Sequence, residues 1–287
     1  MSQNIDLQCH TTASDGKLTP TELVNLAIGK RLAAIAITDH DSVGGIDEAL
    51  KAAKGKNIEI IVGVEISCDD PGFVDTHILG LFIDHKSSLL NNLLKRAKES
   101  RTRQKKGMIM ELKKLGFSIS YNEVNSIAKG EIGRPHIAQV LLEKNPGEFS
   151  STDEIFDTLI GVGKKAFVER KNKINAKEAV QAIHSAKGLA FVAHPGVYRN
   201  FDVNKFIRYF VKNGGDGIET YYQYKSSRHK VTKETSESLN KKFQLTAKKL
   251  NLLQTGGSDF HGKEQQKLGE LKVPYKVLEE LKKHLKK

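Results

Sequence analysis

Short apolar runs that end in polar, chemically capable residues recur along this chain. Ile5-Asp6-Leu7 leads to His10, Leu32 to Ile37 leads to Thr38-Asp39-His40-Asp41, and Ile58 to Val64 leads to Glu65. Further on, Gly188 to Ala193 precedes His194-Pro195, then comes Gly217-Ile218-Glu219-Thr220, and Leu252 to Thr255 precedes Gly256-Gly257-Ser258-Asp259-Phe260-His261. Near-continuous apolar runs of four to seven residues suit strands buried on both faces, which predicts a parallel sheet. His77 differs, because it opens its run (Ile78 to Ile83) instead of closing it.

Helical patterns separate several of these strands. Thr19-Pro20-Thr21-Glu22 carries an N-terminal helix signal, with Leu23, Leu26 and Ala27 following on one face. Asn175 to Ala186 predicts a second helix, placed just before the strand that ends at His194. Strand and helix in alternation predict an α/β barrel or open sheet, and in barrels the functional side chains gather at the C-terminal ends of the strands. Between Ser88 and Ala166 the pattern changes. Leu89, Leu90, Leu93, Leu94 and Ala97, then Met108 to Leu115, predict helices rich in lysine and arginine, and Gly133-Arg134-Pro135-His136 opens another. This stretch reads as a helical domain, 88–166, inserted into a barrel formed by 1–87 and 167–287. The C-terminal segment from Leu278 is an amphipathic helix.

Composition narrows the class. At 287 residues the chain is long enough to bury a full core, and 38% hydrophobic with 28% charged residues is ordinary for a globular protein. No apolar run approaches the ~18 residues of a membrane span, and the N-terminus lacks the charged and apolar regions of a signal peptide. With two cysteines only, Cys9 and Cys68, there is no disulfide framework, so a cytoplasmic setting is expected. Cys9 is expected to face the core. The net charge of +12 favours anionic partners such as nucleotides or nucleic acid, although lysines on helical faces also serve simple solvation. The most basic stretch, Lys95 to Lys106, has no aromatic residue for base stacking, leaving backbone contact or a solvated face.

Six of the ten histidines (His10, His40, His77, His136, His194 and His261) stand in strand-terminal or turn contexts beside Asp, Gly or Pro. Divalent transition metals take imidazole and carboxylate donors, and sites with several ions need bridging carboxylates as well. His85, His184, His229 and His284 lack such a context and read as surface or packing residues.

In order along the chain, Asp6-Leu-Gln-Cys-His10-Thr-Thr-Ala-Ser-Asp15-Gly, Thr38-Asp-His-Asp41, Gly63-Val-Glu-Ile-Ser67, Ala193-His-Pro-Gly196 and Gly257-Ser-Asp-Phe-His261 resemble the motifs of the polymerase and histidinol phosphatase (PHP) superfamily. Gly133-Arg-Pro-His136 and Gly217-Ile-Glu219 narrow the resemblance. They point to the branch that removes the 3′ phosphate of nucleoside 3′,5′-bisphosphates and trims short RNA from its 5′ end. The resemblance implies an α/β fold, a distorted (β/α)7 barrel (PHP fold) with an inserted helical domain. It also implies two or three divalent ions, Mn²⁺ first and Fe²⁺ or Zn²⁺ as alternatives, held by His10, Asp15, His40, Glu65, His77, His194, Asp259 and His261.

The branch has a histidine two residues before His10, where this chain has Gln8. A glutamine carbonyl is a weaker donor to a transition metal than imidazole. Three outcomes stay open: Gln8 ligates weakly, water fills the gap, or that ion is lost. One of Asp39 and Asp41 is expected to orient an imidazole. Arg134 and His136 are the expected phosphate-binding pair, since a planar guanidinium at a helix start suits phosphate oxygens. His136 is also a candidate general acid, and Arg199 a further substrate contact. Where relatives carry a histidine after the Gly-Ile-Glu strand, this chain has Tyr221-Tyr-Gln-Tyr-Lys225. The expected chemistry is hydrolysis of a phosphate ester by a metal-activated hydroxide, with a nucleotide or short RNA as substrate and no membrane or protein partner implied. A histidinol-phosphatase-like monoesterase and a catalytically weakened nucleotide- or RNA-binding relative are the alternatives.

Overall fold

Ile5 and Leu7 on β1 (Asn4–Cys9), Ala34 and Ala36 on β2 (Ala34–Ile37), and Ile61 on β3 (Glu59–Asp70) have essentially no contact with solvent, as expected of strands covered on both sides. The computed structural model describes residues 4–128, 132–198, 200–224, 233–263 and 266–286. These fall into two compact units, 1–94 with 174–287 and 95–173.

The first unit is built on one sheet. After β3 come β4 (Phe73–Leu81), β5 (Leu189–Val192), β6 (Gly217–Tyr221), β7 (Leu253–Gly256) and the two-residue β8 (Val273–Pro274), in the order β7-β6-β5-β4-β3-β2-β1-β8. The sheet curls until the end of β7 meets β1. His10 N–H donates to the Phe260 carbonyl at 2.8 Å, and Phe260 N–H to the Gln8 carbonyl at 3.4 Å. Gly257 makes this approach possible, because a Cβ there would stand 2.4 Å from the Gln8 nitrogen. The result is a nearly closed α/β barrel with eight strands; the expected seven are joined by β8, antiparallel on the outer edge of β1.

A wholly parallel sheet does not hold. β1, β2 and β3 are parallel, as are β5, β6 and β7, but β4 is antiparallel to both of its neighbours. The two-residue turn Pro71-Gly72, with Gly72 at φ +83, joins β3 directly to β4 and permits only an antiparallel pair. This reversal explains His77. Because β4 runs the other way, His77, at its midpoint and before the apolar run, comes beside Glu65 and His194.

Helices α1 (Pro20–Gly29) and α2 (Ile46–Ala53) cover β1 and β2 through Leu23, Val24, Ala27, Ile46 and Ala49. Thr19 caps α1: its hydroxyl accepts from Glu22 N–H at 3.2 Å while Glu22 Oε2 accepts from Thr19 N–H at 2.8 Å. Cys9 lies in this same apolar layer, fully buried. Inside the barrel, Phe191, Leu79 and Leu81 pack with Ile5 and Leu7.

Helix α3 (Ser88–Lys114) runs unbroken for 27 residues where two helices were expected. The intervening lysines, arginines and glutamines are good helix formers, and Gly107 is tolerated because it faces Val168 closely. The second unit holds most of α3 with α4 (Tyr121–Ile127), α5 (Arg134–Lys144) and α6 (Thr152–Ile155), packed around Met108, Leu112, Val124, Ile137, Leu141 and Ile160. The first unit resumes with α7 (Ala176–Ser185), then α8 (Val203–Lys212), α9 (Lys233–Lys249) and α10 (Tyr275–Leu285). No helix among the described residues is long and apolar enough to cross a membrane.

Candidate metal centre

Strand ends of the first unit bring eight of the expected ligands to one place. His40 and Glu65 are fixed side by side by backbone pairing, with Asp41 N–H donating to the Glu65 carbonyl at 2.8 Å and Glu65 N–H to the Asp39 carbonyl at 3.2 Å. Glu65, with no exposed surface, sits among four imidazoles. Its Oε2 is 3.1 Å from His10 Nε2 and 3.4 Å from His40 Nδ1; its Oε1 is 2.9 Å from both His77 Nδ1 and His194 Nε2. Asp259 Oδ1 stands 3.0 Å from His10 Nε2, and Asp15 Oδ1 lies 3.3 Å from His261 Nε2 and 3.8 Å from His10 Nδ1. The rings of His10 and His261 stack at 4.1 Å.

Three overlapping groups result, each with donor atoms within 4.8 Å of one another: His10, Asp15, His40 and His261; His40, Glu65 and His77; His10, Glu65 and Asp259. His10, His40 and Glu65 each recur in two of these groups, and of the three only the Glu65 carboxylate has two oxygens with which it could serve two ions.

The chemistry of these donors fits divalent cations. Both ring nitrogens of His10, Nδ1 of His40 and His194, Glu65 Oε2 and Asp259 Oδ1 are buried yet lack a hydrogen bond of proper geometry. Polar atoms left so cost about 1–3 kcal/mol each unless something else engages them. Burial opposes ionisation of Glu65, but His40 and His77 overcome it and hold its carboxyl well below the usual range. Asp15 and Asp259 are lowered in the same way, against their burial, by His261 and neighbouring imidazoles. Burial pushes the His40 imidazole down to about 3, so it is neutral and free to donate a lone pair. For His10, Asp259 and Glu65 outweigh burial and raise the pKa well above its ordinary value.

Two of the expected ligands occupy strained backbone. His194 has φ +30 and Asp259 φ +54, in the left-handed region that non-glycine residues seldom adopt. Each is held there by specific bonds. His194 N–H donates to Glu219 Oε2 at 2.6 Å, while the Asp259 carbonyl faces His261 Nδ1 at 2.7 Å and accepts from Gln266 Nε2 at 3.0 Å.

Gln8 has no exposed surface, and neither atom of its amide has a hydrogen-bond partner among the described residues. Asp39 does not orient an imidazole. Its carboxylate accepts from Thr11 N–H and Oγ1, both at 2.7 Å, and from Ser14 Oγ at 2.6 Å, fixing the loop between His10 and Asp15. Asp41 accepts from Ser67 N–H at 2.9 Å. Arg134 and His136 begin α5 in the second unit, where His136 Nδ1 accepts from Gly133 N–H at 2.9 Å and the Arg134 guanidinium lies 5.9 Å from the Phe156 ring. Arg199, Lys225 and His229 lie outside the described residues. His85 and His184 pair with Asp47 and Asp216, at 2.9 and 2.8 Å.

Sequence reasoning missed two tyrosines. Tyr222 Oη donates to Asp259 Oδ2 at 3.0 Å, and its ring stands 5.6 Å from that of His194. Tyr198 Oη accepts from His77 N–H at 2.9 Å and donates to the Ala193 carbonyl at 3.1 Å, tying β4 to β5 beside the ligands. The run of tyrosines after β6 was the available signal for Tyr222; Tyr198 had none.

Comparison with known proteins decides the family. A PHP domain model matches residues 6–190. The chain is 37% identical, over 91% of its own length and 91% of the relative, to a Haemophilus influenzae protein named 5′-3′ exoribonuclease. The chain belongs to the PHP family. As a member it is a metal-dependent phosphoesterase, a hydrolase. A second PHP relative, the 3′,5′-nucleoside bisphosphate phosphatase of Chromobacterium violaceum, is 33% identical over 90% of this chain and 87% of that protein. Among solved structures, a protein from Bifidobacterium adolescentis described as a metal-dependent phosphoesterase superposes with a TM-score of 0.81 at 27% identity, covering 98% of this chain and 96% of that one. An amidohydrolase from Chromobacterium violaceum with bound sulfate gives 0.80 at 31%, with the same coverage. The candidate metal centre of this PHP chain is the constellation around Glu65.

Proposed function

We propose that this phosphoesterase acts on nucleotides: that it releases the 3′ phosphate of nucleoside 3′,5′-bisphosphates and removes nucleotides from the 5′ end of short RNA. The convergence of His10, Asp15, His40, Glu65, His77, His194, Asp259 and His261 around one buried carboxylate carries the reading, and the names of the two relatives supply the substrate class. The donor set, mixed imidazole and carboxylate, suits two or three ions of Mn²⁺, Fe²⁺ or Zn²⁺ better than Ca²⁺, with Mn²⁺ proposed. Gln8 is proposed as an additional oxygen donor, since its buried amide is unpartnered within the protein.

Bound divalent cations supply Lewis acidity towards phosphoryl oxygens and lower the pKa of water. The side chains do the rest. Glu65 keeps four imidazoles in register and, with them, would hold the ions. Tyr222 fixes Asp259 by its 3.0 Å hydrogen bond, and Glu219 locks the strained His194 backbone. Arg134 and His136 are proposed to recognise phosphate, the first by its planar fork of donors. No thiol nucleophile competes: Cys9 is buried, and burial pushes its pKa well above the ordinary value.

The test is phosphate release from adenosine 3′,5′-bisphosphate and from histidinol phosphate with added Mn²⁺, alongside the His40→Ala and Asp259→Ala variants. Turnover of the bisphosphate that both substitutions reduce at least a hundredfold supports the proposal. Preference for histidinol phosphate assigns the other branch, and no turnover of either leaves a binding protein.

A further inference from the structure

The second unit carries 17 lysines and arginines against 10 aspartates and glutamates, and they are unevenly placed. Residues 95–106 of α3 contain seven basic residues and one acid; residues 164–173 contain five and one. These two segments are laid side by side. Ser100 Oγ donates to the Lys171 carbonyl, Gln104 Nε2 donates to the Val168 carbonyl at 2.8 Å, and Gly107 faces Val168. Folding therefore brings two lysine- and arginine-rich segments together into a ridge, from which Lys105 is excluded by burial. Lys95, Lys98, Lys164, Lys165 and Lys171 are among its exposed members. The two acids are each engaged, Glu99 with Arg103 at 3.8 Å and Glu169 with Lys173 at 2.9 Å.

A solvated helical face looks different. On α10, Lys276 pairs with Glu280 at i,i+4, 3.8 Å apart. On α3, like charges recur at i,i+3 and i,i+4 (Lys95 and Lys98, Arg101 and Lys105, Arg103 and Lys106), which destabilises a helix by a few tenths of a kcal/mol per pair. A polyanion laid along the ridge removes that repulsion. Between Lys95 and Lys106 the helix rises about 17 Å, which matches a few nucleotides of extended single strand. Aromatic residues are missing from both rows except Phe167, so the contact is to phosphates and indifferent to sequence.

We infer that this ridge of the second unit is a docking surface for the phosphate backbone of single-stranded RNA. The inference rests on the nucleic-acid reading above and extends it: single-stranded RNA of several nucleotides or more is held by the ridge, whereas a mononucleotide bisphosphate is not. Its contribution is electrostatic and falls with salt, with a slope in log K against log salt of about −0.7 per phosphate contact.

The experiment measures fluorescence anisotropy of labelled oligouridylates, 4 and 20 nucleotides long, with the full chain in EDTA so that no cleavage occurs. The variant is Lys95→Glu/Lys98→Glu/Lys171→Glu, and a control of equal charge change elsewhere is Lys249→Glu/Lys276→Glu/Lys283→Glu. Expected is at least tenfold weaker binding of the 20-mer by the ridge variant, a salt slope flatter by roughly 2, less than threefold change in the control, and unchanged bisphosphate hydrolysis. Single Lys→Gln changes at 95 and 171 repeat the comparison should the triple variant melt early. Equal loss in both triple variants overturns the inference, as does 20-mer binding no tighter than that of the 4-mer, or ridge-dependent binding to anionic vesicles in place of RNA. Failure of the wild type to hydrolyse bisphosphate, with ridge-dependent RNA binding intact, overturns the substrate reading and supports the ridge.

Discussion

At the scale of single residues, Glu65 shows why a cation belongs here. It is a fully buried anion within 3.4 Å of four imidazoles, one of which, His10, is driven towards its protonated form by Glu65 and Asp259. A cation takes the place of that proton. Because the His10 pKa is raised, loading with Mn²⁺ near neutral pH must release protons, and affinity must fall as pH falls. Calorimetric titrations of Mn²⁺ in buffers of different ionisation enthalpy check this; an apparent enthalpy that does not vary with buffer contradicts it. Gln8 gives a second prediction. Imidazole is the stronger donor, so Gln8→His is expected to retain one ion more tightly against a chelator. Unchanged retention would show that the amide does not face a cation. The candidate ligands that the fold brings together could be picked out in the sequence beforehand because they sit in short family-like strings such as Thr38-Asp-His-Asp41 and Gly257-Ser-Asp-Phe-His261. Tyr198 could not, since its role exists only where β4 and β5 meet. The role of Asp39 was not legible because its partners, Thr11 and Ser14, lie on another strand's loop.

Among the elements, local signals and non-local pairing divided the information. The start of α1 was readable from Thr19-Pro20-Thr21-Glu22, because a capping box is satisfied within four residues. Thr19→Ala removes one side of it and is expected to lower stability by about 1 kcal/mol, measured as a shift in urea midpoint at constant slope. A change below 0.3 kcal/mol would mean that the α1 contacts with α2 alone hold this end. The direction of β4 was not readable, since apolar runs do not encode polarity; the Pro71-Gly72 turn did, and it went unused. Likewise β8 is too short for periodicity, and its pairing with β1 depends on residues far away in the chain. The single long α3 follows from helix propensity in the charged stretch between the two apolar patterns that read as separate helices.

For the molecule as a whole, one chain uses two kinds of charge. The first unit buries carboxylates and imidazoles from six strand ends and their loops, sharing His10, His40 and Glu65 among three groups; the second exposes a basic ridge built from two segments. The alternation of strands and helices left an α/β barrel and an open sheet both possible and the family motifs pointed to the barrel, while closure through Gly257 and Gln8 required the fold. Crystals grown with Mn²⁺ and measured at the manganese absorption edge test the central claim most directly. Two or three anomalous peaks are predicted, at coordinating distance from Glu65, His10, His40 and Asp259. Peaks confined to surface carboxylates, or none, with these four side chains saturated by one another, would contradict it.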